Sequence, residues 1–400
     1  ERLLDIAARD MGIDRIEIRR RNFIKPDQFP YNNEIIYQDF APLVYDSGNY
    51  EPALQKALDL IGHNEFINET QPRFRAEGRC VGLGVVAYVE GTGIGPYEGA
   101  RVQVQASGRV TAVTGVGTQG QGHFTSFAQI VADQLGVDVG DVDIITGDTD
   151  QFHWGAGTFA SRGAVVAGNA FNEAARDVRA KALKIATELL DAEEEVVELV
   201  EGMARVQSDP DRSVRLGKLA QAANPLRGAV KPGTEPGLEA TNYFGPERGA
   251  TANGVHAMII EVDPDTFLVD ILKYVVVHDC GEVINPLILA GQIQGGVAQG
   301  VGNAFYEKLM YDESGQLLNA SLMDYLLPTA LDVPRIYADH VVTPSPLNSL
   351  GTKGAGESGA IPVGALFAQA IEDALWDREF EILEIPLSPA RLWEIVEAGK

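Results

Sequence analysis

The chain has 400 residues, of which 45% are hydrophobic, and it carries a formal net charge of −25. This length allows two or three domains with buried cores, and no stretch is long and apolar enough to span a bilayer. The negative charge argues against nucleic acid or an anionic membrane surface as a partner. Only Cys80 and Cys280 are present. They suggest a reducing compartment and are too few for an iron–sulfur cluster, which needs four cysteines.

The first half of the chain begins with helical patterns and continues with strands. Apolar residues at helical spacing predict helices over residues 1–20 and 51–61. From Gly82 onward the pattern changes to a strand and then to a hairpin with a Ser-Gly turn. A helix, a strand of sequence DVDIIT and a long helix over residues 164–190 are predicted to follow.

The second half repeats this plan after an irregular segment. Residues 224–253 are rich in Pro and Gly and have no regular period, which predicts a linker. Beyond it, two strands joined by a short turn again lead into a glycine-rich segment and a helix. The repetition predicts an α+β fold of mixed sheets with packed helices, in two repeated lobes. The predicted divisions are a helical connector over 1–70, a first lobe over 71–223, the linker over 224–253 and a second lobe over 254–400.

Four glycine-rich segments combine closely spaced glycines with amide, hydroxyl or charged side chains. Their backbone N–H groups are unobstructed by Cβ atoms, and each segment leads into a predicted helix, whose N-terminus favours a phosphate. One such segment would be weak evidence, because turns use glycine routinely. Four together predict a large, polar, phosphate-bearing cofactor. The segments cover residues 117–129, 155–170, 284–300 and 351–359.

Two nucleotide-binding motifs are excluded. The segment that begins at Gly91 starts like the dinucleotide fingerprint, but Pro96 or Glu98 stands where the third glycine is required. The phosphate-binding loop of nucleoside triphosphatases is also missing, because Lys353 is followed by Gly354 rather than by Ser or Thr. The pattern therefore favours a cofactor other than NAD.

The segment over 284–300 begins a helical pattern that contains unusually many glycines. Each glycine inside a helix costs about 1 kcal/mol relative to alanine, so we expect another group to approach this helix closely. Packing in a soluble core would explain the glycines alone. Gln292, with Asn285 before it, favours a ligand. The glycines are at positions 291, 295, 296, 300 and 302.

Glu357 is the one carboxylate in the last glycine-rich segment. With little side-chain packing around it, its carboxylate can reach a ligand as a hydrogen-bond acceptor or as a general base. The alternative is a residue at the start of the following helix, stabilised by the helix dipole by about 0.3 to 1 kcal/mol. The three other glycine-rich segments favour the functional role.

Short motifs in these segments occur in the order QGQGH, TFASR, DCGEVINP, GQIQGG, MDYLLPTALDVP and KGAGESG. In order and spacing they resemble the large, molybdopterin-binding subunit of the molybdenum hydroxylases, the family of xanthine dehydrogenase and aerobic carbon monoxide dehydrogenase. The last two motifs are more similar to the carbon monoxide dehydrogenase-like branch than to the eukaryotic xanthine oxidases, which does not determine the substrate. The resemblance implies the C-terminal half of that subunit, with residues 1–70 connecting to an upstream cofactor-binding domain and the two lobes forming a second one.

The resemblance implies a molybdenum–molybdopterin cofactor, in its cytosine dinucleotide form, whose metal is held by the cofactor and not by protein side chains. The six histidines fit this, because they form no HExxH or paired ligand spacing. Glu357 is expected to be the general base, and Arg162 can equally form a buried structural ion pair. The residues assigned to the cofactor by resemblance are Gln119, Gly120, Gln121, Gly122, His123, Thr125, Gly157, Thr158, Ser161, Arg162, Asn285, Gln292, Lys353, Gly354, Ala355 and Gly356.

The implied activity is oxidation of a small-molecule substrate with oxygen from water. Electrons would pass to 2Fe-2S clusters and FAD on an iron–sulfur subunit and an FAD subunit, in a cytoplasmic dimer of heterotrimers. The substrate loop and a glycine-rich loop near the metal are expected outside these residues. Two other classes stay open: a non-catalytic molybdenum-cofactor-binding or maturation protein, and a hydrolase that pairs Glu357 with a second carboxylate such as Asp324.

Overall fold

The computed structural model describes residues 1–37, 40–224 and 235–398. The predicted helices over 1–20 and 51–61 are confirmed, although the first is divided at Gly12, where a left-handed φ of 63° ends its first part. A short antiparallel hairpin lies between them. The elements of this N-terminal connector are α1 (Arg2–Met11), α2 (Arg15–Asn22), β1 (Tyr31–Ile36), β2 (Pro42–Tyr45), α3 (Tyr50–Ile61), α4 (His63–Glu65) and α5 (Gln71–Ala76).

The middle of the chain contains the predicted strand, hairpin and two helices. The predicted helix over 164–190 begins as π-helical turns over Gly163–Gly168 and becomes α-helical after them. A small three-stranded antiparallel sheet follows it. The elements are β3 (Cys80–Thr92), β4 (Glu98–Val104), β5 (Val110–Thr114), α6 (His123–Leu135), β6 (Val142–Thr146), α7 (Asn169–Leu190), β7 (Val197–Val200), β8 (Met203–Val206), β9 (Asp209–Arg215) and α8 (Leu216–Ala222).

The last part of the chain contains β10 (Glu239–Phe244), β11 (Ala250–Val262), β12 (Val269–Asp279), α9 (Pro286–Phe305), β13 (Ile336–His340), α10 (Val363–Ala374) and α11 (Pro389–Ala398). Two units of the chain share one plan. The first unit comprises β4, β5, α6, β6 and α7, and the second comprises β11, β12, α9, β13 and α10. In both units an antiparallel hairpin is followed by a helix and then by a strand parallel to the second hairpin strand. The predicted α+β class with two repeated lobes is confirmed.

Each unit takes its fourth strand from the chain segment that precedes the other unit. β3 directly precedes β4 but pairs antiparallel with β11, while β10 precedes β11 but pairs antiparallel with β4. The sheet orders are therefore β10-β4-β5-β6 and β13-β12-β11-β3. The pairing of β3 with β11 therefore joins the predicted first lobe to the predicted second lobe. The predicted domain boundaries stay a proposal.

The prediction of an irregular linker over 224–253 is wrong for part of that segment. Residues 239–244 form β10, and β11 begins at Ala250. The Pro and Gly residues that suggested a linker flank β10 at positions 236, 237, 245 and 246, where they allow the chain to turn. Residues 225–234 of the predicted linker lie outside the described residues.

The core has three parts, one beside the first sheet and one on each face of the second. Phe127 of α6 and Phe171 of α7 pack on the first sheet. Successive residues of β11 face opposite sides of the second sheet, so Met258 packs with α9 and α10 while Ala257 packs with α3. Because both faces of the sheet are covered, all but one of the 13 residues of β11 are buried. In residues 1–37, 40–224 and 235–398, no helix is long and apolar enough to cross a membrane.

Helix α9 lies against the backbone of the segment that precedes α10. A Cβ atom on Gly296 would lie 2.8 Å from Gly359 Cα and 3.1 Å from the Ala360 nitrogen. A Cβ atom on Gly291 or Gly295 would have no atom of the described residues within 4 Å. Close packing in the core therefore explains the glycine at position 296 but not the glycine at position 295.

A buried charged network anchors the start of this segment. The side chains of Lys353 and Asp279 are fully buried, with Nζ 3.7 Å from Oδ2. Lys353 Nζ also donates to the Ser47 carbonyl at 3.2 Å and to Thr343 Oγ1 at 3.1 Å. Burial lowers the pKa of Lys353, and the charge of Asp279 opposes that change. The network joins the end of β12, the segment before α10 and the N-terminal connector.

Adjacent glycines of α9 provide a matched test of the close packing. Gly296→Ala should lower the free energy of unfolding by about 1–3 kcal/mol, because its Cβ would collide with backbone atoms that must shift. Gly295→Ala should raise that free energy by up to about 1 kcal/mol, because alanine is the better helix former and the site is open. Denaturant unfolding of both variants measures the difference, and equal effects would contradict the packing described above.

Removing one partner of the buried pair tests the network. Lys353→Met should lower the free energy of unfolding by about 3–5 kcal/mol, because it leaves the Asp279 carboxylate buried without a cation. Adding Asp279→Asn to Lys353→Met removes that charge and should recover part of the loss. Urea midpoints of the wild type, the single variant and the double variant check this. A double variant less stable than the single one would show that charge is not the cause.

Candidate functional site

A cavity of about 560 Å³ lies where the four glycine-rich segments meet. The segments lie at or just before the starts of α6 and α7 in the first unit and of α9 and α10 in the second, so the repeated fold brings equivalent positions of both units to one place. The predicted residues that line the cavity are Gln119, Gly120, Gln121, His123, Thr158, Ser161, Arg162, Asn285, Gln292, Lys353, Gly354, Ala355, Gly356 and Glu357.

Three residues predicted to bind the cofactor are not among those that line the cavity. Thr125 is exposed in the first turn of α6. Gly122 caps the start of that helix, and a Cβ atom there would lie 2.8 Å from Ile288 Cδ1. The Gly157 carbonyl accepts a hydrogen bond from Arg162 at 2.8 Å. Asp324, the second carboxylate of the hydrolase hypothesis, also lies outside the lining, so the cavity does not pair it with Glu357.

Sequence reasoning missed several lining residues. Glu282 and Ile284 shortly precede the predicted Asn285, and Ser126 follows Thr125 by one position. Their place in the DCGEVINP motif and in the glycine-rich segment over 117–129 was the available signal. The further lining residues not predicted are Phe159, Ala160, Gly163, Ala164, Cys280, Val283, Ile288, Leu289 and Thr352.

Glu357 is exposed and lies in a turn of the segment before α10. Its Oε2 lies 2.7 Å from Ser161 Oγ, and its backbone N–H donates to the same Ser161 oxygen at 3.1 Å. Neither of these bonds uses Oε1, and the Glu90 side chain lies within hydrogen-bonding reach of the Glu357 side chain. Helix α10 begins only at Val363, and helix-dipole effects fall off within the first turn. The Glu357 carbonyl nevertheless accepts the Ala360 N–H at 2.9 Å and the Ile361 N–H at 3.3 Å in the turns that lead into α10, so the alternative of a helix-start residue stays open.

The end of β3 joins the segments that precede α7 and α10. The Thr92 hydroxyl accepts a hydrogen bond from the Gly354 N–H at 2.9 Å and donates to the Ala250 carbonyl at 2.9 Å. The Gly93 N–H donates to the Ala160 carbonyl at 3.1 Å. One strand end thus holds both segments in place beside the cavity.

Glu90 is a second carboxyl group at this point, and it was not predicted. Its Oε1 lies 2.8 Å from Ser161 Oγ, and its Oε2 is buried with no hydrogen-bond partner in the described part of the chain. Burial, aided by the nearby Glu357, raises the pKa of Glu90 to about 8, although Ser161 opposes the change. The available signal was a single acidic residue in the otherwise apolar strand β3.

Arg162 forms the buried ion pair that was the alternative to a phosphate contact. Its guanidinium contacts the Glu98 carboxylate, and the two side chains are 1% and 0% exposed. It also donates to the carbonyls of Ile94 at 3.2 Å and Gly157 at 2.8 Å, and to that of Pro96. These bonds fix the segment before α7 against β4. A contact between Arg162 and the cofactor stays a prediction.

Asn285 and Lys353 also direct their polar atoms to the protein. Asn285 Oδ1 accepts the Ile288 N–H at 3.0 Å and so caps α9, while its Nδ2 donates to Gln129 Oε1 of α6 at 2.8 Å. The Lys353 ammonium belongs to the buried network with Asp279. Both residues hold the walls of the cavity, and their predicted contacts with the cofactor stay predictions.

His123 and Gln292 are different, because they have polar atoms free to bind a ligand. The buried His123 ring stacks on Phe127 with ring centres 4.6 Å apart, and its Nδ1 has no partner among the described residues. Burial lowers the pKa of His123 to about 4, so the ring is neutral at pH 7. No hydrogen bond of the half-buried Gln292 amide exists within residues 1–37, 40–224 and 235–398.

The lining chemistry fits a large polar cofactor. Free amides come from Gln292 and from the exposed Gln119, and a buried histidine nitrogen lacks a partner. Gly120 has a φ of 101° and open space where a Cβ would be, so its backbone can be approached closely. Among the residues described, no group of three or more His, Cys, Asp or Glu could hold a metal ion.

Comparison with known proteins identifies the family to which this chain belongs. Residues 56–334 match the molybdopterin cofactor-binding domain. The chain is 35% identical to the carbon monoxide dehydrogenase large chain of Afipia carboxidovorans, over 99% of this chain and 50% of that protein. It is also 35% identical to the nicotine 6-hydroxylase large subunit of Paenarthrobacter nicotinovorans, over 98% of this chain and 48% of that subunit.

A solved structure agrees with the sequence relatives. Quinoline 2-oxidoreductase from Pseudomonas putida 86 superposes with a TM-score of 0.91 at 37% identity, over 99% of this chain and 51% of the other. The chain spans about half the length of the curated relatives it matches. It belongs to the molybdopterin cofactor-binding family, within the large subunits of the molybdenum hydroxylases.

Proposed function

We propose that this chain binds the molybdenum–molybdopterin cofactor in the cavity and supplies the general base of a molybdenum hydroxylase, Glu357. The reaction is the oxidation of a small molecule with oxygen from water. The observation that carries the proposal is the exposed Glu357 carboxylate in the cavity wall, with Oε2 held against Ser161. A carboxylate acts as a general base when one oxygen can reach the proton it removes.

The bound cofactor would supply the redox chemistry, and the chain's own residues would hold it and move a proton. Glu357 would accept the released proton at Oε1, while Ser161 orients the carboxylate through Oε2. The free amides of Gln292 and Gln119 would hydrogen-bond the polar edges of the cofactor, and the neutral His123 would do so without adding charge.

We also propose the cytosine dinucleotide form of the cofactor, with 2Fe-2S clusters and FAD on two partner subunits of a cytoplasmic dimer of heterotrimers. The similarity to a carbon monoxide dehydrogenase large chain and to a nicotine 6-hydroxylase large subunit supports such partners, since both names denote one chain of a complex. The chain's two cysteines, Cys80 and Cys280, are free thiols and too few for a cluster.

Replacing the base tests this function against a non-catalytic cofactor-binding protein. In the assembled holoenzyme, Glu357→Gln should lower turnover per bound molybdenum by about 10²- to 10⁴-fold, because the amide keeps the shape but cannot take a proton. The molybdenum content should be unchanged. Glu313→Gln, on an exposed residue outside the cavity, is the matched control. A decrease in turnover of less than about tenfold would contradict the assignment of Glu357 as the base.

A second substitution tests cofactor binding by itself. Gln292→Ala should weaken cofactor retention by about 3- to 10-fold, the effect of losing one hydrogen bond of about 0.5–1.5 kcal/mol. Gln294→Ala on the same helix changes an exposed residue that does not line the cavity and should retain the wild-type content. Molybdenum per chain after gel filtration and dilution measures both. Equal losses from the two variants would contradict the assignment.

A further inference from the structure

Two carboxyl groups approach the same hydroxyl oxygen beside the cavity. Ser161 Oγ lies 2.8 Å from Glu90 Oε1 and 2.7 Å from Glu357 Oε2, and it accepts the Glu357 N–H at 3.1 Å. The three groups come from β3, the segment before α7 and the segment before α10. Both short contacts lie within the range of hydrogen bonds between oxygen atoms.

The number of hydrogens determines the charge of this cluster. A serine hydroxyl has one hydrogen to donate, and an ionised carboxylate can only accept. If both carboxyl groups were ionised, one contact would bring two acceptor oxygens within 3 Å with no hydrogen between them. One of the two carboxyl groups must therefore carry a proton and donate it to Ser161 Oγ.

Burial decides which carboxyl group holds the proton. Glu90 Oε2 is buried without a partner, whereas the Glu357 side chain is exposed to the cavity. An ionised carboxylate is more stable where water can reach it. The proton therefore belongs to Glu90, in agreement with the pKa of about 8 that burial produces there.

We propose that Glu90 is a positioning residue, which stays protonated, donates to Ser161 Oγ and so directs the serine hydrogen to Glu357 Oε2. The pair then holds one proton and one negative charge, and the charge is on Glu357. Oε1 of Glu357 stays available as the acceptor. This inference rests on the proposed function, because it assigns Glu90 to the residue taken to be the base.

The surroundings of Glu90 contain few other charges. Glu357 from the segment before α10 raises the pKa of Glu90, and Ser161 from the segment before α7 lowers it. Tyr88, two residues earlier in β3, has a pKa raised mainly by its own burial, with a smaller contribution from Glu90. β11 pairs with Glu90 through Ala252, and no charged group of β11 acts on Glu90 among the described residues.

The inference predicts a change near pH 8 in the holoenzyme. Above this pH Glu90 loses its proton, two carboxylates compete for one serine hydrogen, and turnover should fall. Glu90→Gln should remove this alkaline decline, because the amide donates to Ser161 at every pH. The leucine side chain of Glu90→Leu cannot donate a hydrogen bond. The turnover of this variant should therefore be about 3- to 10-fold lower than that of Glu90→Gln, the effect of one lost hydrogen bond.

Stability supplies a readout that does not depend on turnover. The pKa of Glu90 is raised from 4.5 to about 8, so between these values the folded chain holds a proton that the unfolded chain has lost. Its contribution to stability is complete below pH 4.5 and is lost as the pH rises through 8. The Tm of Glu90→Gln relative to wild type should therefore rise from low to high pH.

Infrared spectroscopy observes the proton directly. Wild-type holoenzyme at pH 6 should show a protonated-carboxyl C=O band that disappears as the pH rises through 8 and is missing in Glu90→Gln. Absence of this band in the wild type, an alkaline decline that persists in Glu90→Gln, or equal turnover in the Gln and Leu variants would each overturn the proposal. If Glu357→Gln kept full turnover, the base assignment would fail, while the wild-type band would still decide the state of Glu90.

Discussion

The pairing of β3 with β11 is the constraint on which the rest of the structure depends. β3 belongs by sequence to the first unit and by hydrogen bonding to the second, so its C-terminal end lies between them. There Thr92 holds the segment before α10 and Gly93 holds the segment before α7. Glu90 lies on the same strand end, which explains how three distant parts of the chain meet at one hydroxyl group.

Charged residues around the cavity mainly hold its walls. Arg162 is paired with Glu98 and Lys353 with Asp279, all four with side chains almost or completely excluded from solvent. A buried charge without its partner is strongly unfavourable, so these pairs keep each wall segment in one position. In the proposed function, recognition of the cofactor is left to amides, glycine backbone and a neutral histidine. Such groups suit a large ligand with many polar edges.

The two units differ in what they contribute to this shared cavity. The first provides His123 from the start of α6 and Ser161 from the segment before α7, and the second provides Gln292 and the Glu357 segment. The glycines of α9 let the Glu357 segment lie directly on the helix at Gly296. Close backbone packing and the buried Lys353 network together determine where the proposed base stands.

The sequence by itself determined the types of the elements, their repetition, the four glycine-rich segments and the position of Glu357 in the last of them, because periodicity and turn chemistry are local properties. Only the tertiary structure decided that β10 lies inside the predicted linker, that Arg162 is paired with Glu98, and that Glu90 joins the site. Ser161 is 71 positions from Glu90 and 196 from Glu357. Their contact follows from strand pairing and burial between distant segments, which no local pattern encodes.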